Sequence, residues 1–148
     1  MDSETRNAFF RFFNEIGIIA QLSRTALETR LPKGLTLPHF SVVNHLIRVK
    51  DGQTPLALAS AFQVPKTTMT HTLNGLLEHG FVEIRPNPDD GRSKTVWLTQ
   101  TGRQFREDAI RSIDPDIDAL CQNVPREKIE ALVPALTEIR TFLDKARD

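Results

Sequence analysis

The chain has 148 residues, with 19 Lys plus Arg against 19 Asp plus Glu, a formal net charge of zero, 39% hydrophobic and 26% charged residues. That length sets one domain with an unstapled core as the expectation, and the composition is that of an ordinary soluble protein. The single cysteine, Cys121, excludes an internal disulfide framework, charges interrupt every apolar stretch long enough to span a membrane, and the acid-bearing start MDSETRNAFFRFFNE is no secretory signal, so the cytoplasm is the expected compartment.

Residues 4–28 place Phe9, Phe12, Phe13, Ile16, Ile19, Ala20 and Leu27 at helical spacing, with Phe10 off that stripe. So wide an apolar girth predicts burial on more than one side, and a partner chain is expected over it. Leu31-Pro32-Lys33-Gly34 ends this helix. A second helix starts near Thr36, takes Pro38 in its first turn, buries Phe40, Val43, Leu46 and Ile47, and stops at Asp51-Gly52. Thr54-Pro55 then supplies an N-cap and a first-position proline for a short helix through Phe62. Gln63 and Val64 make a tight turn, and Pro65 opens the next helix in its first turn. There Met69, Leu73, Leu76 and Leu77 form the apolar face, opposite Lys66, Thr67, Thr70, His71 and Asn74. Gly80 is the expected left-handed C-cap, with Phe81 packing back on the last turn.

Residues 81–85 read as a strand, 86–92 as a loop and 94–98 as a returning strand, together a hairpin with a long charged tip. Thr99 caps a helix carrying Phe105, Ala109 and Ile113, and Asp114-Pro115 marks a kink or restart. Pro125 opens the last helix, in which Ile129, Leu132, Leu136, Ile139 and Leu143 form a seam for packing helix on helix.

Helix, helix, tight turn, helix and hairpin, in that order, make a winged helix-turn-helix within a mainly α (α+β) chain; residues 54–80 are the helix-turn-helix and 81–98 the wing. A major groove about 12 Å wide admits one helix, whose outer side chains reach base edges. Thr67, Thr68 and Thr70 are small enough for close approach, and the helix start at Pro65 to Thr67 points positive polarity at the phosphate backbone. Lys66 is read as a phosphate or base contact rather than a solvated lysine, while His71 reads equally as such a contact or as an exposed spectator. At the hairpin tip Arg92 is expected to enter the minor groove, braced by Asp90, rather than to form only a surface ion pair. His39, His45, His79 and Cys121 lack ligand-like spacing, so no metal site and no cofactor is expected. Cys121, beside Ala119, Leu120 and Val124 with no adjacent cation to favour thiolate, reads as a buried structural thiol. No phosphate loop or nucleophile elbow is present, which speaks against an enzyme.

Leu35-Thr36 before Leu37-Pro38, the run Pro65-Lys66-Thr67-Thr68-Met69-Thr70, Leu76-Leu77-Glu78-His79-Gly80-Phe81-Val82, the pair Asp90-x-Arg92, and Leu98-Thr99 before Gly102 together resemble the MarR family of bacterial transcription regulators. In order and spacing the resemblance covers nearly the whole chain. It implies a homodimer that reads a pseudopalindromic operator in double-stranded DNA, often as a repressor, released by a small aromatic or phenolic ligand. On that pattern residues 1–148 are one domain: 1–35 and 115–148 form a helical dimerisation layer, 36–98 the winged helix-turn-helix and 99–114 a connecting helix. Expected DNA contacts are Pro65, Lys66, Thr67, Thr68, Thr70, His71 and Asn74 from the recognition helix, Arg85, Asp90, Arg92, Ser93 and Lys94 from the wing, and Thr54 on a phosphate. Expected dimer contacts are Phe9, Phe12, Phe13, Ile16, Ile129, Leu132, Leu136, Ile139 and Leu143. The expected effector pocket takes Phe13, Gly17, His39 and Val43. His71, Asn74 and Gly75 stand where the family commonly carries charged side chains.

Three rivals stay open: a winged-helix module for protein partners, a ligand-insensitive regulator, and a cysteine redox sensor. The zero net charge does not decide against DNA. Between Thr54 and Arg106 six cations face four acids, a local surplus of +2 balanced by −2 elsewhere. Weak non-specific binding, with affinity carried by specific contacts, is therefore expected.

Overall fold

Caps set the limits of most helices. The computed structural model describes residues 1–147; Asp148, the last residue of the expected domain, lies outside them. Asp2 Oδ1 accepts the Thr5 N–H at 2.7 Å and opens α1 (Ser3–Glu28), none of whose residues is buried. Phe9, Phe13, Ile16 and Ile19 stay exposed; Phe12 is half-buried, its ring edge-on to that of Phe13 at 5.3 Å. At the other end Glu28 Oε1 accepts the Leu37 N–H at 2.8 Å, tying α1 to the first turn of α2 (Leu37–Arg48).

Helix α2 is the centre of the lobe. Val42, Val43 and Leu46 are almost fully buried, with His39 beside them, whereas Phe40 and Ile47 are only half-buried. The apolar stripe is thus wider than, and rotated from, the expected Phe40, Val43, Leu46 and Ile47, because α1, α4 (Lys66–Glu78), β2 (Lys94–Leu98) and α5 (Gln100–Ser112) all pack against it.

Thr54 Oγ1 accepts the Ala57 N–H at 3.1 Å and starts α3 (Pro55–Phe62), as its sequence indicates. Gln63 ends it in the left-handed region at φ 53°, turning the chain into Val64 and Pro65. Pro65 is the N-cap of α4 rather than its first helical residue. The buried face of α4 is Met69, Thr72, Leu73 and Leu76; Leu77, expected inside, is 38% exposed, and Thr72 takes its place by donating its hydroxyl to Thr68 O at 3.2 Å. That internal bond satisfies the one polar group of Thr72 and makes its burial tolerable.

After Gly80 (φ 71°), β1 (Val82–Pro86) pairs antiparallel with β2, Val82 opposite Leu98 and Pro86 opposite Lys94. Gln53 adds a third edge through a bridge to Val96. Thr99 caps α5 by accepting the Gly102 N–H at 3.0 Å and donating to Gly80 O at 2.6 Å. The rings of Phe81 and Phe105 stack at 4.5 Å.

These elements form one compact unit, residues 1–113; residues from 114 onward form a second. The second restarts at Asp114, as Asp-Pro implies, with α6 (Asp114–Cys121) and α7 (Arg126–Ala146). Neither helix buries a residue. Ile129, Leu132, Leu136 and Leu143 are exposed and Ile139 half-buried. Cys121 is exposed, against the expected burial, as are Ile117 and Leu120 on the same helix. Among the described residues no helix is long and apolar enough to cross a membrane.

Candidate nucleic-acid interface

The polar face of α4 is Lys66, Thr67, Thr68, Thr70, His71 and Asn74, all exposed, with Pro65 exposed before them. No side chain caps this helix, so its first-turn N–H groups remain open to an anion. Thr70 donates its hydroxyl to Lys66 O at 2.9 Å, which leaves its oxygen as an acceptor. Thr54 spends its hydroxyl on the α3 cap and is half-buried.

The wing tip is held by side chains acting on its own backbone. Asp90 Oδ1 accepts the Arg92 N–H at 2.9 Å and lies 3.8 Å from Arg92 Nε. Asn87 Nδ2 donates to Ser93 Oγ at 2.7 Å, Asn87 Oδ1 accepts from Asp89 N at 3.0 Å, and Ser93 N donates to Asp90 O at 3.1 Å. Ser93 therefore braces the turn and is half-buried. Arg92 projects from this frame with its side chain 97% exposed. Lys94 is exposed at the start of β2. Arg85 lies lower on the stem: its guanidinium pairs with Glu83 through Nε at 2.8 Å and through a second nitrogen, and sits 4.7 Å from the Trp97 ring centroid.

Two contacts have no counterpart in the motifs. Asp51 Oδ1 accepts from Gly52 N and Leu98 N, both at 3.0 Å, and Oδ2 stands 3.7 Å from Arg103, fastening the wing base to the loop before α3. Trp97 covers Gly52 so closely that a Cβ there would meet its ring at 2.4 Å. The sequence signal for both was Asp51-Gly52, read only as a helix stop.

The expected effector residues are dispersed. Phe13 is exposed, Gly17 has open space where a Cβ would stand, Val43 is in the core, and His39 is buried at the α2 N-terminus. None of them lines the cleft of about 170 Å³ beside α4, whose walls include Arg24, Leu37, Val42, Phe62, Met69 and Thr72.

A helix-turn-helix with an uncapped second helix and a braced cationic wing is the arrangement of residues 54–98, and a MarR-family model matches residues 33–93. Over that segment the chain is similar to the MarR family, and its fold is the winged helix-turn-helix of that family's solved structures. The curated relatives and solved structures it matches are transcriptional regulators, not enzymes. It is 29% identical over 117 residues to the transcriptional repressor YetL of Bacillus subtilis, covering 78% of this chain and 70% of that protein. It is 28% identical over 136 residues to the multiple antibiotic resistance protein MarR of Escherichia coli, covering 86% and 94%. A crystal structure of MarR shares the fold at TM-score 0.80 and 21% identity, over 90% of this chain and 91% of that one. An E. coli MarR mutant complexed with operator DNA superposes at TM-score 0.68 with 25% identity, over 90% and 96%.

Proposed function

We propose that this protein is a MarR-family regulator, a cytoplasmic homodimer that binds a pseudopalindromic operator sequence-specifically and represses transcription. The observation that carries the reading is the pairing, in one lobe, of the open α4 N-terminus with Lys66, Thr67 and Thr70 and the braced wing tip with Arg92. Two such lobes would place their recognition helices in successive major grooves about 34–36 Å apart. Lys66, Thr67, Thr68, Thr70, His71 and Asn74 read the groove, Arg92 enters the minor groove on the frame that Asp90 and Ser93 hold, and Lys94 meets a phosphate. The exposed apolar faces of α1 and α7 support dimerisation, since patches of this kind seldom remain uncovered on a soluble chain. A small aromatic or phenolic effector would act through the cleft beside α4, where apolar walls meet the Arg24 cation.

Arg92→Ala tests the wing. It should weaken operator binding by about 1–3 kcal/mol in a titration at fixed salt, because a minor-groove cation is lost while the fold is untouched. Unchanged affinity sinks the assignment. Loss of binding at low salt to every duplex tried, with a folded protein, would favour the protein-partner module instead.

A further inference from the structure

The recognition helix has a glycine in its interior, where glycine is a poorer helix former than alanine. The structure gives the reason. A Cβ on Gly75 would stand 2.6 Å from His39 Nε2 and 3.2 Å from its Cδ2. His39 is 8% exposed and fills the space the missing side chain leaves. Its other nitrogen, Nδ1, accepts the Thr36 N–H at 3.0 Å and lies 3.2 Å from Thr36 Oγ1. An Nδ1 that accepts places the proton of a neutral ring on Nε2. The imidazole thus stands as a post between the first turn of α2 and the middle of α4.

We infer that His39 is a positioning residue for DNA reading: as the neutral Nε2–H tautomer it sets the height of the recognition helix above α2, and as imidazolium it cannot. The inference rests on the DNA-binding reading above. A protonated ring has no acceptor for the Thr36 N–H, and its charge lies in a half-dry seat roofed by backbone. The ring must leave or α4 must lift, and α4 carries Thr70, His71 and Asn74.

The groups around the seat reinforce this. From α4 the exposed His71 and His79 act on it through their charge. On α1 the Glu28 carboxylate, paired with Arg24, is engaged by Leu37 N. From α5 Arg106 reaches Asn44 and is paired with Glu107. The far half of α2 holds His45 and Arg48, and β2 lays Thr95 and Val96 against the lobe. No carboxylate among these bonds the ring. Burial first, then the nearby His79 and His71, hold His39 below the ordinary histidine value of 6.5.

The test uses the full chain and a duplex selected by it from a random pool, with affinity read by fluorescence anisotropy from about pH 7.5 to about pH 5. If only the neutral state is competent, the apparent Kd rises as its fraction falls, a progressive loss of affinity toward the acid end. His71 on the DNA face has the opposite sign, since its protonation favours phosphate, so the series is run in His71→Gln as well. His39→Asn keeps an acceptor at the Nδ1 position without titrating and should flatten the acid loss. Gly75→Ala should weaken binding severalfold at neutral pH, and adding His39→Asn should restore most of it by vacating the space. A His39→Asn profile that follows wild type, or a Gly75→Ala protein that binds normally, overturns the inference. Should these variants not fold, nitrogen chemical shifts of wild-type His39 at neutral pH decide: Nε2–H is expected, and Nδ1–H overturns it. Absence of DNA binding at every pH overturns the DNA-binding reading with it, whereas pH-flat binding overturns this inference alone.

Discussion

At Gly102 a single hydrogen atom decides whether α5 can sit on the wing. A Cβ there would stand 2.1 Å from the Phe81 carbonyl oxygen, a backbone atom that no rotamer change can move. Gly102→Ala must push α5 away and part the Phe81–Phe105 stack. The cost should reach about 3 kcal/mol or more, at the upper end of overpacking, which lowers Tm by about 6–12 °C for a chain of this size. An unshifted thermal melt would refute it. The two half-dry histidines of α2 act at the same scale. Burial pushes both His39 and His45 below 6.5, and His45 Nε2 is buried without a hydrogen-bond partner while its ring meets Phe62 at 5.2 Å. In the unfolded chain they protonate near 6.5, before they do so in the fold, so the unfolded state gains protons first on acidification. Stability is therefore full above 6.5 and declines as pH falls from there through the folded-state values. Urea midpoints should drop between about pH 7.5 and about pH 5.5, and the drop should shrink in His39→Asn and His45→Gln. A midpoint that holds level across that window counts against the burial account.

Among the elements, those whose limits are local were legible from the chain alone. Thr54, Thr99 and Gly80 each act within a few residues, and each does in the fold what its residue type implies. The helix-turn-helix and its wing follow from such signals, and so do the polar face of α4 and the exposed Arg92. What the sequence could not reveal joins distant positions. His39 and Gly75 meet across 36 residues of chain, and Asp51 bonds Leu98 N across 47. No periodicity marks either pair. The turned stripe of α2 and the buried Thr72 have the same origin, since both depend on how many neighbours surround a helix rather than on its own pattern. Cys121 differs for the converse reason: apolar neighbours in sequence suggest burial, but Ile117 and Leu120 on α6 are exposed with it. Asp51 gives the prediction at this scale. Asp51→Ala strands the Leu98 N–H at about 1–3 kcal/mol, while Gly52 N keeps its bond to Val96 O at 3.0 Å and the 3.7 Å pair with half-exposed Arg103 adds little. Hydrogen exchange at the Leu98 amide should accelerate markedly, with α1 amides unaffected. Equal protection in the variant would show that the strand pairing alone holds the wing base.

For the whole molecule, the zero net charge takes on meaning once the ion pairs are placed. Of the six cations between Thr54 and Arg106, Arg85 is occupied by Glu83, Arg103 by Asp51 and Arg106 by Glu107. Lys66 and Lys94 have no acidic partner among the described residues, and Arg92 keeps only a 3.8 Å contact with Asp90 while almost wholly exposed. Three cations per lobe are therefore free to replace counterions on DNA. A dimer has six, and neutralising that many phosphates gives a slope of log K against log salt of about −5. A monomer reading one half-site would show about half that value. The apolar face of α1 links the slope to assembly. Phe9→Glu combined with Phe13→Glu places charge on two side chains that are 63% and 47% exposed in the isolated chain. It should leave the lobe folded while reducing the mass in sedimentation from dimer to monomer and halving the salt slope. A double variant that still sediments as a dimer with the full slope would place the dimer contact elsewhere. A slope near zero for the wild type would mean that these cations do not meet phosphate.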